Sequence, residues 1–407
     1  MSDFSEIQKI IAFIRSWKFF FSFKNENLEL WSDLFLKAPY QPVAYSDLAL
    51  DFQYLYQKEK EPSIIDMSFI IKDMGKPIGI WPLSICTSEK TNKLNFYGLT
   101  LQIPLLITTE LRVLERIANE FYLFLERLLN ILKEKEFLIS LPFRGKLFYV
   151  VDPWHKAALD FGAKPEINYD LYIDLNLDIE EIRSQFRKSY KPLISKGLNL
   201  WNTFVLTDRD ELVWEEYRQL HISAAGRVTR CKETWDVQLK SIESKKGFLV
   251  CLRDEEDTLV GAGFFMFTKH EARYDTAAYN RDLFDKPLGH VVQYIAIQEF
   301  KKRGISSYIV GSRPYDFDSV QYTEKELSIS KFKSGFTSSL IPRFIFKKSL
   351  LNENRSFFLW PDYNPIQSLS RIIYSKKFLL LRTRLRHSFH LDIQYYVPVG
   401  ELQLALL

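Results

Sequence analysis

One order of elements is written into this 407-residue chain twice. Around residues 64–143, three runs with strand periodicity precede a long helical stretch and a fourth strand. Around 248–311 the order recurs. In the first copy, strands are expected over 68–72 and 76–86, around the turn Asp73-Met74-Gly75, and a third over 94–101. A helix capped by Thr108 or Thr109 then runs to about residue 133, with Ile117, Phe121, Phe124 and Leu128 on one face, and 136–142 closes the unit. In the second copy, strands 248–252 and 259–268 flank the acidic turn Asp254-Glu255-Glu256-Asp257. Strand 272–279 follows the tight Lys269-His270 turn, helix 289–303 stops at Gly304, and 308–311 closes. A duplicated meander–helix–strand unit implies an α/β (α+β) architecture: two tandem domains, each a mixed sheet with flanking helices.

The segments around the repeats read differently. Residues 5–23 predict one helix, with Ile7, Ile10, Ile14 and Trp17 at spacings of three and four, and Lys9, Arg15 and Lys18 elsewhere on its surface. Between the repeats, Asp178-Ile179-Glu180-Glu181 has capping-box spacing, so a helix begins there; Pro192 breaks or restarts it and Gly197 ends it. A further helix is expected over 207–225, with Leu212, Val213, Tyr217 and Leu220 inward. Residues 366–386 carry six Lys and Arg among Leu, Ile and Phe, the pattern of a basic amphipathic helix that meets solvent, anionic headgroups or phosphates. The expected division is 1–165, 166–365 and a basic extension over 366–407.

Composition narrows the class. A 46% hydrophobic chain with 26% charged residues fits a packed soluble protein. A net charge of +4 makes no general demand for nucleic acid. Cys86, Cys231 and Cys251 are widely spaced without a paired motif, which fits a reducing cytoplasm and no metal site. No apolar run approaches the roughly 18–20 residues of a spanning helix.

Three local runs carry a family resemblance. Ile182-Arg183-Ser184-Gln185-Phe186-Arg187-Lys188-Ser189-Tyr190 ends in Lys196-Gly197. Gly289-His290 opens a helix that reaches Lys302-Arg303-Gly304. Ser330-Lys331-Phe332-Lys333-Ser334-Gly335-Phe336 has the form phenylalanine-lysine-x-glycine-phenylalanine. Together they span about 178–336, and they resemble the Fem family within the GNAT acyltransferase superfamily. The resemblance implies two tandem GNAT-like domains, with the acceptor on the first and the donor and catalytic groups on the second. It further implies transfer of an acyl or aminoacyl group to an amine of a cell-envelope glycan or its precursor. The donor is aminoacyl-tRNA or an acyl-CoA such as acetyl-CoA. With acyl-CoA, a small amine such as a nucleotide-activated amino sugar is the alternative acceptor. An idle, non-catalytic scaffold at the inner membrane surface is the rival reading, motivated by the basic C-terminal run.

The chemistry names candidate residues. Aminolysis of an acyl donor needs a neutral amine, in-line attack and a stabilised oxyanion. The resemblance assigns the oxyanion to Lys333. Asp275 and Tyr315, on or just beyond expected strands, are the candidate bases. Backbone amides at Gly289 suit a donor phosphate, with Lys286 and His290 beside them. Arg227 and Arg230 are a clamp for a phosphate or carboxylate. Trp81 and Tyr97 are planar enough to stack on a sugar or nucleobase, though core filling is the commoner use of such rings.

Overall fold

The computed structural model describes residues 2–87, 92–141, 152–318 and 320–350. Residues 1–351 form one compact unit; the basic run 366–386 lies outside the described residues.

The first half opens with α1 (Ser2–Ser16) and β1 (Phe20–Phe23). The single helix expected over 5–23 is therefore shorter, because the aromatic run around Phe20 pairs as a strand. Next come α2 (Leu28–Lys37), α3 (Asp47–Lys60), β2 (Ile64–Asp66), β3 (Phe69–Asp73), β4 (Lys76–Trp81), β5 (Ser84–Thr87) and β6 (Asn92–Asn95). The unit ends with β7 (Leu101–Gln102), β8 (Leu105–Leu106), α4 (Leu111–Ile131), β9 (Glu136–Leu141) and α5 (Pro153–Asp160).

Two strand expectations are corrected. The run 76–86 is split at Pro82, and β5 leaves to form a separate sheet with β2 and β6. Strand 94–101 is replaced by β7 and β8 as the third member of the meander. Pro104, which has no N–H to donate, separates them. One side of this broken strand pairs with β4 antiparallel and the other with β9 parallel. The residue before α4 is Glu110 rather than a threonine, and it makes no side-chain cap.

The second half begins with β10 (Lys164–Asp174), so the boundary expected at 165/166 falls inside a strand. It continues through α6 (Ile179–Ser184), α7 (Tyr190–Leu200), β11 (Asn202–Leu206), α8 (Glu211–Ala225) and α9 (Lys232–Glu243). Then follow β12 (Gly247–Arg253), β13 (Leu259–Phe267), β14 (Glu271–Tyr279), α10 (Leu288–Lys302), β15 (Ser307–Arg313), α11 (Glu324–Lys333) and β16 (Leu340–Ser349). The capping box at Asp178 and Glu181 forms as read. Gly197 does not end α7 but lies within it, because Val291 and Pro287 pack where a side chain would stand. Leu212, expected inward, is 81% exposed, whereas Tyr217 is fully buried.

A nine-stranded sheet runs through both halves in the order β11-β12-β13-β14-β15-β10-β16-β9-β7. In each half an antiparallel meander is followed by a helix and a strand parallel to the meander's last member. The fold is thus α/β with two GNAT-like domains. Alternate residues of β12 and β13 serve two cores. Phe248 and Phe265 face α7 and α10, whereas Leu249 and Phe264 face Trp214 and Trp235 of α8 and α9.

Candidate active site

Strands β14 and β15 pair only at Glu271–Ser307, Ala272–Tyr308 and Arg273–Ile309. Beyond that point they part. Into the opening comes Lys333, from the last turn of α11. Its Nζ lies 5.1 Å from the centroid of the Tyr274 ring. It also rests on Gly311 (φ +149°), where an added Cβ would stand 2.6 Å from the ammonium. A glycine is required there for both conformation and space.

Gly311 and Tyr274 line a cavity of about 160 Å³, together with Arg273 and Asp170 from the second half and Gln102 and Ser140 from the first. Burial, then the like charge of Arg273, pushes the Lys333 ammonium down to about 8, against the pull of Asp170. At neutral pH it remains chiefly a cation, poorly solvated and packed on two residues that line the cavity.

The flanking signature residues hold this lysine. Gly335 sits against the Tyr190 ring, with no room for a side chain. The Tyr190 hydroxyl donates to the Phe332 carbonyl at 3.0 Å, and the Arg187 N–H to the Gly335 carbonyl at 2.8 Å. Phe336 is fully buried, edge-on to Phe186 and Phe332. Basic segment α6–α7 and the lysine turn are therefore one packed assembly.

Asp275 lies further along β14. The pairing with β13 slips between Phe264–Thr276 and Phe265–Tyr274, so Asp275 is the extra residue of a bulge, a device that re-aims a side chain. It is solvent-accessible, yet protein crowds it from the sides. That desolvation raises its pKa, opposed by Arg273, Gln238 and Arg230. Its Oδ2 accepts a 2.6 Å bond from Gln238 Nε2.

Next to Asp275 in sequence, Thr276 and Ala277 line a second cavity, of about 520 Å³. Arg227, Arg230, Arg281 and Lys325 give it four cations, and among the described residues its lining holds no carboxylate; Phe52 and Tyr56 of α3 add aromatic surface. Arg230 is only 4% exposed. Its guanidinium stacks 3.8 Å from the Trp235 ring centroid and donates to Gln238 Oε1 at 2.6 Å. It makes no ion pair among the described residues, and its buried Nε has no partner. A buried arginine without a carboxylate is costly unless an anion completes it. His221, also in the lining, is pushed down to about 4 by burial and then by Arg230, so it is neutral there.

The halves are clamped beside the smaller cavity, which Glu271 also lines. Glu271, 3% exposed, accepts from Tyr40 Oη and from the Val43 N–H, both at 3.0 Å. Thr268 Oγ1 donates to the Gln41 carbonyl at 2.6 Å. Burial raises Glu271 to about 7, with Arg273 the largest opposing influence.

Other sequence-named residues fall elsewhere. Trp81 and Tyr97 are core groups, 0% and 1% exposed, so neither offers a face to a ligand. Trp81 Nε1 donates to the Gln102 carbonyl, and the Tyr97 hydroxyl meets Ser68 Oγ. Tyr315 lines neither cavity; its ring stacks on Phe317 and takes Arg313 over its face. Phe332 covers Gly289 at the start of α10. His290 stands edge-on to Tyr190 and Phe332, and burial pushes it to about 4. It is a neutral packing group rather than a source of charge. Lys286 pairs with Asp285 at 3.1 Å. The residues that sequence reasoning missed are Arg281, Lys325, Gln238, Glu271 and Arg273. No local pattern marks them, because the tertiary fold alone collects them.

No family model matches the sequence, and no curated protein matches it. Solved structures match in fold. The chain is similar to FemX at 11% identity and TM-score 0.56, over 77% of this chain and 94% of that one. It is similar to L-PGS from Bacillus licheniformis at 12% and 0.51, over 86% and 97%. It is also similar to the C-terminal domain of a putative lysylphosphatidylglycerol synthetase from Agrobacterium fabrum, at 13% and 0.54, over 80% and 92%. This chain has the Fem/GNAT-like acyltransferase fold. No helix among its described residues is long and apolar enough to cross a membrane.

Proposed function

We propose that the protein is an acyltransferase that moves an acyl or aminoacyl group onto the amine of an anionic acceptor, a cell-envelope glycan or its precursor. The observation that carries this reading is the seating of Lys333 in the parting of β14 and β15, desolvated and packed on Gly311 and Tyr274, which line a cavity. A cation so placed stabilises the oxyanion that forms as an amine attacks a carbonyl. Asp275 is the proposed base, and the pocket of Arg227, Arg230, Arg281 and Lys325 receives the acceptor's anion.

An aminoacyl ester on RNA is the preferred donor. Arg187, Lys188 and Lys196 are exposed on the segment bonded to the lysine turn, so a polyanion held there brings its end towards Lys333. At the start of α10, where a CoA pyrophosphate would be expected, the Phe332 ring packs against Gly289. Such an enzyme works on the cytoplasmic side of the envelope, where Cys86, Cys231 and Cys251 stay free.

Purified protein is incubated with cell extract, and its bound molecules are identified by mass spectrometry. Aminoacyl-tRNA with a phosphate-bearing amine is the expected pair. Recovery of acyl-CoA changes the donor; a protein that transfers nothing from either donor class ends the enzymatic reading.

A further inference from the structure

We propose that Arg230, Gln238 and Asp275 form a relay that makes the base conditional on the acceptor: an anion captured on Arg230 releases Asp275 to take a proton from the acceptor's ammonium. The inference deepens the function proposed above and rests on it.

The chain of contacts is short and directional. Arg230 Nη2 donates to Gln238 Oε1 at 2.6 Å, and Gln238 Nε2 donates to Asp275 Oδ2 at 2.6 Å. Gln238 is 0% exposed, so its amide has no water to turn to. Each end of the amide has one role, the carbonyl towards a cation and the N–H towards a carboxylate. A cation on the carbonyl side polarises the amide and strengthens its donation on the other side. The guanidinium is held between Trp235, at 3.8 Å, and Phe52, at 5.2 Å, with its Nε unpartnered. Asp275 faces Arg230, Gln238 and Tyr217 on the α8–α9 side, and Arg273 on its own strand.

With the pocket empty, the positive charge of Arg230 reaches Asp275 through Gln238 and, with Arg273, holds its carboxylate less basic than burial alone would make it. An anion on Arg230 cancels that charge, and the carboxylate becomes more basic. The acceptor's own phosphate or carboxylate thus arms the group that its amine needs. The transfer then balances. Of the three protons on the ammonium, one goes to Asp275 before attack, one to the departing donor oxygen, and one stays on the new amide. The N–C bond forms as the C–O bond breaks. A neutral amine lacking the anion would meet an unarmed base, which favours anionic acceptors.

The test uses the full chain and inorganic pyrophosphate as probe. Fluorescence of Trp235 reports binding, and the carboxyl ¹³C resonance of Asp275, assigned with Asp275→Asn, reports its titration. In the wild type, pyrophosphate is expected to raise the Asp275 midpoint by about one pH unit. In Gln238→Leu, or Gln238→Met if the first does not fold, the midpoint starts higher and the rise shrinks, while pyrophosphate still binds. A wild-type midpoint that pyrophosphate leaves unmoved overturns the relay, as does an equal rise in the Gln238 variants. Failure of pyrophosphate to bind overturns the relay and the anion pocket together. Acyl transfer, measured separately with the donor recovered from extract, can stand or fall without the relay.

Discussion

The two repeats share their order of elements and differ in what fills the place beside the parallel pair. In the first, β7 meets β9 over only Leu101–Ile139 and Gln102–Ser140, and the core beneath is aromatic packing. Trp81 meets Phe121 at 4.7 Å, and Phe121 meets Trp154 at 5.3 Å. In the second, the opening between β14 and β15 holds Lys333 over Tyr274, with Tyr274 bonded to Tyr279 and Tyr308 to Gln293. One copy of the scaffold is closed by apolar rings, and the other keeps polar groups that need partners. The difference teaches that one scaffold can be closed by packing in one copy and leave a polar opening in the other, so the order of elements alone does not mark a site.

The largest expected effect tests the closed copy. Trp81→Ala should cost about 3–5 kcal/mol in denaturant unfolding, as loss of a fully buried aromatic does. The folded variant should bind pyrophosphate as before. A mild loss of stability would mean that this core is looser than its packing implies. In the open copy, Lys333→Ala should lower the transfer rate about 10²–10³-fold with no loss of thermal stability, since a poorly solvated cation is removed. A normal rate would end its assignment to the oxyanion. Gly335→Ala comes next. Its methyl group meets the Tyr190 ring, so about 1–3 kcal/mol of stability should go, along with the seating of Lys333. Wild-type thermal stability in that variant would show that the signature glycine is dispensable.

Two pH effects are smaller. If the cationic form of Lys333 acts, transfer falls as pH rises through about 8, and Lys333→Arg moves that limb upward. A pH–rate profile with an unmoved limb assigns it to another group. Glu271 is raised in the fold from 4.5 to about 7, so the folded state binds the extra proton in that window. Its contribution is full below 4.5 and is lost as pH climbs through 7, so stability should decline there. Glu271→Gln should flatten that decline in melting temperatures taken across the window. An unchanged slope would clear the clamp of any role.

How much of this was legible in the sequence follows the same division. The strands of the second repeat are long, uninterrupted and β-rich, and their expected positions agree with β12 to β15 within a few residues. The first repeat misled because Pro82 and Pro104 cut its strands, and β5 and β6 joined another sheet. Lys333 stood out through its neighbours, because Phe332, Gly335 and Phe336 around it resemble the Fem signature. Arg230 was named with Arg227, but not its burial against Trp235. Arg281, Lys325 and Gln238 lie on separate elements, and no window of sequence holds them together. Trp81 and Tyr97 show the converse: an aromatic residue type does not reveal whether the ring faces a ligand or the interior.

Strand β16 pairs with β10 on one side and with β9 on the other. The partner of Glu136–Leu141 is thus made some two hundred residues later, at Phe344–Ser349. As the ribosome delivers the chain, β9 and β10 wait with bare edges, open to the wrong strand or to another nascent molecule. A fragment cut before Leu340 would retain both repeats and still be prone to aggregate, because the piece that seals them together is made after both of them.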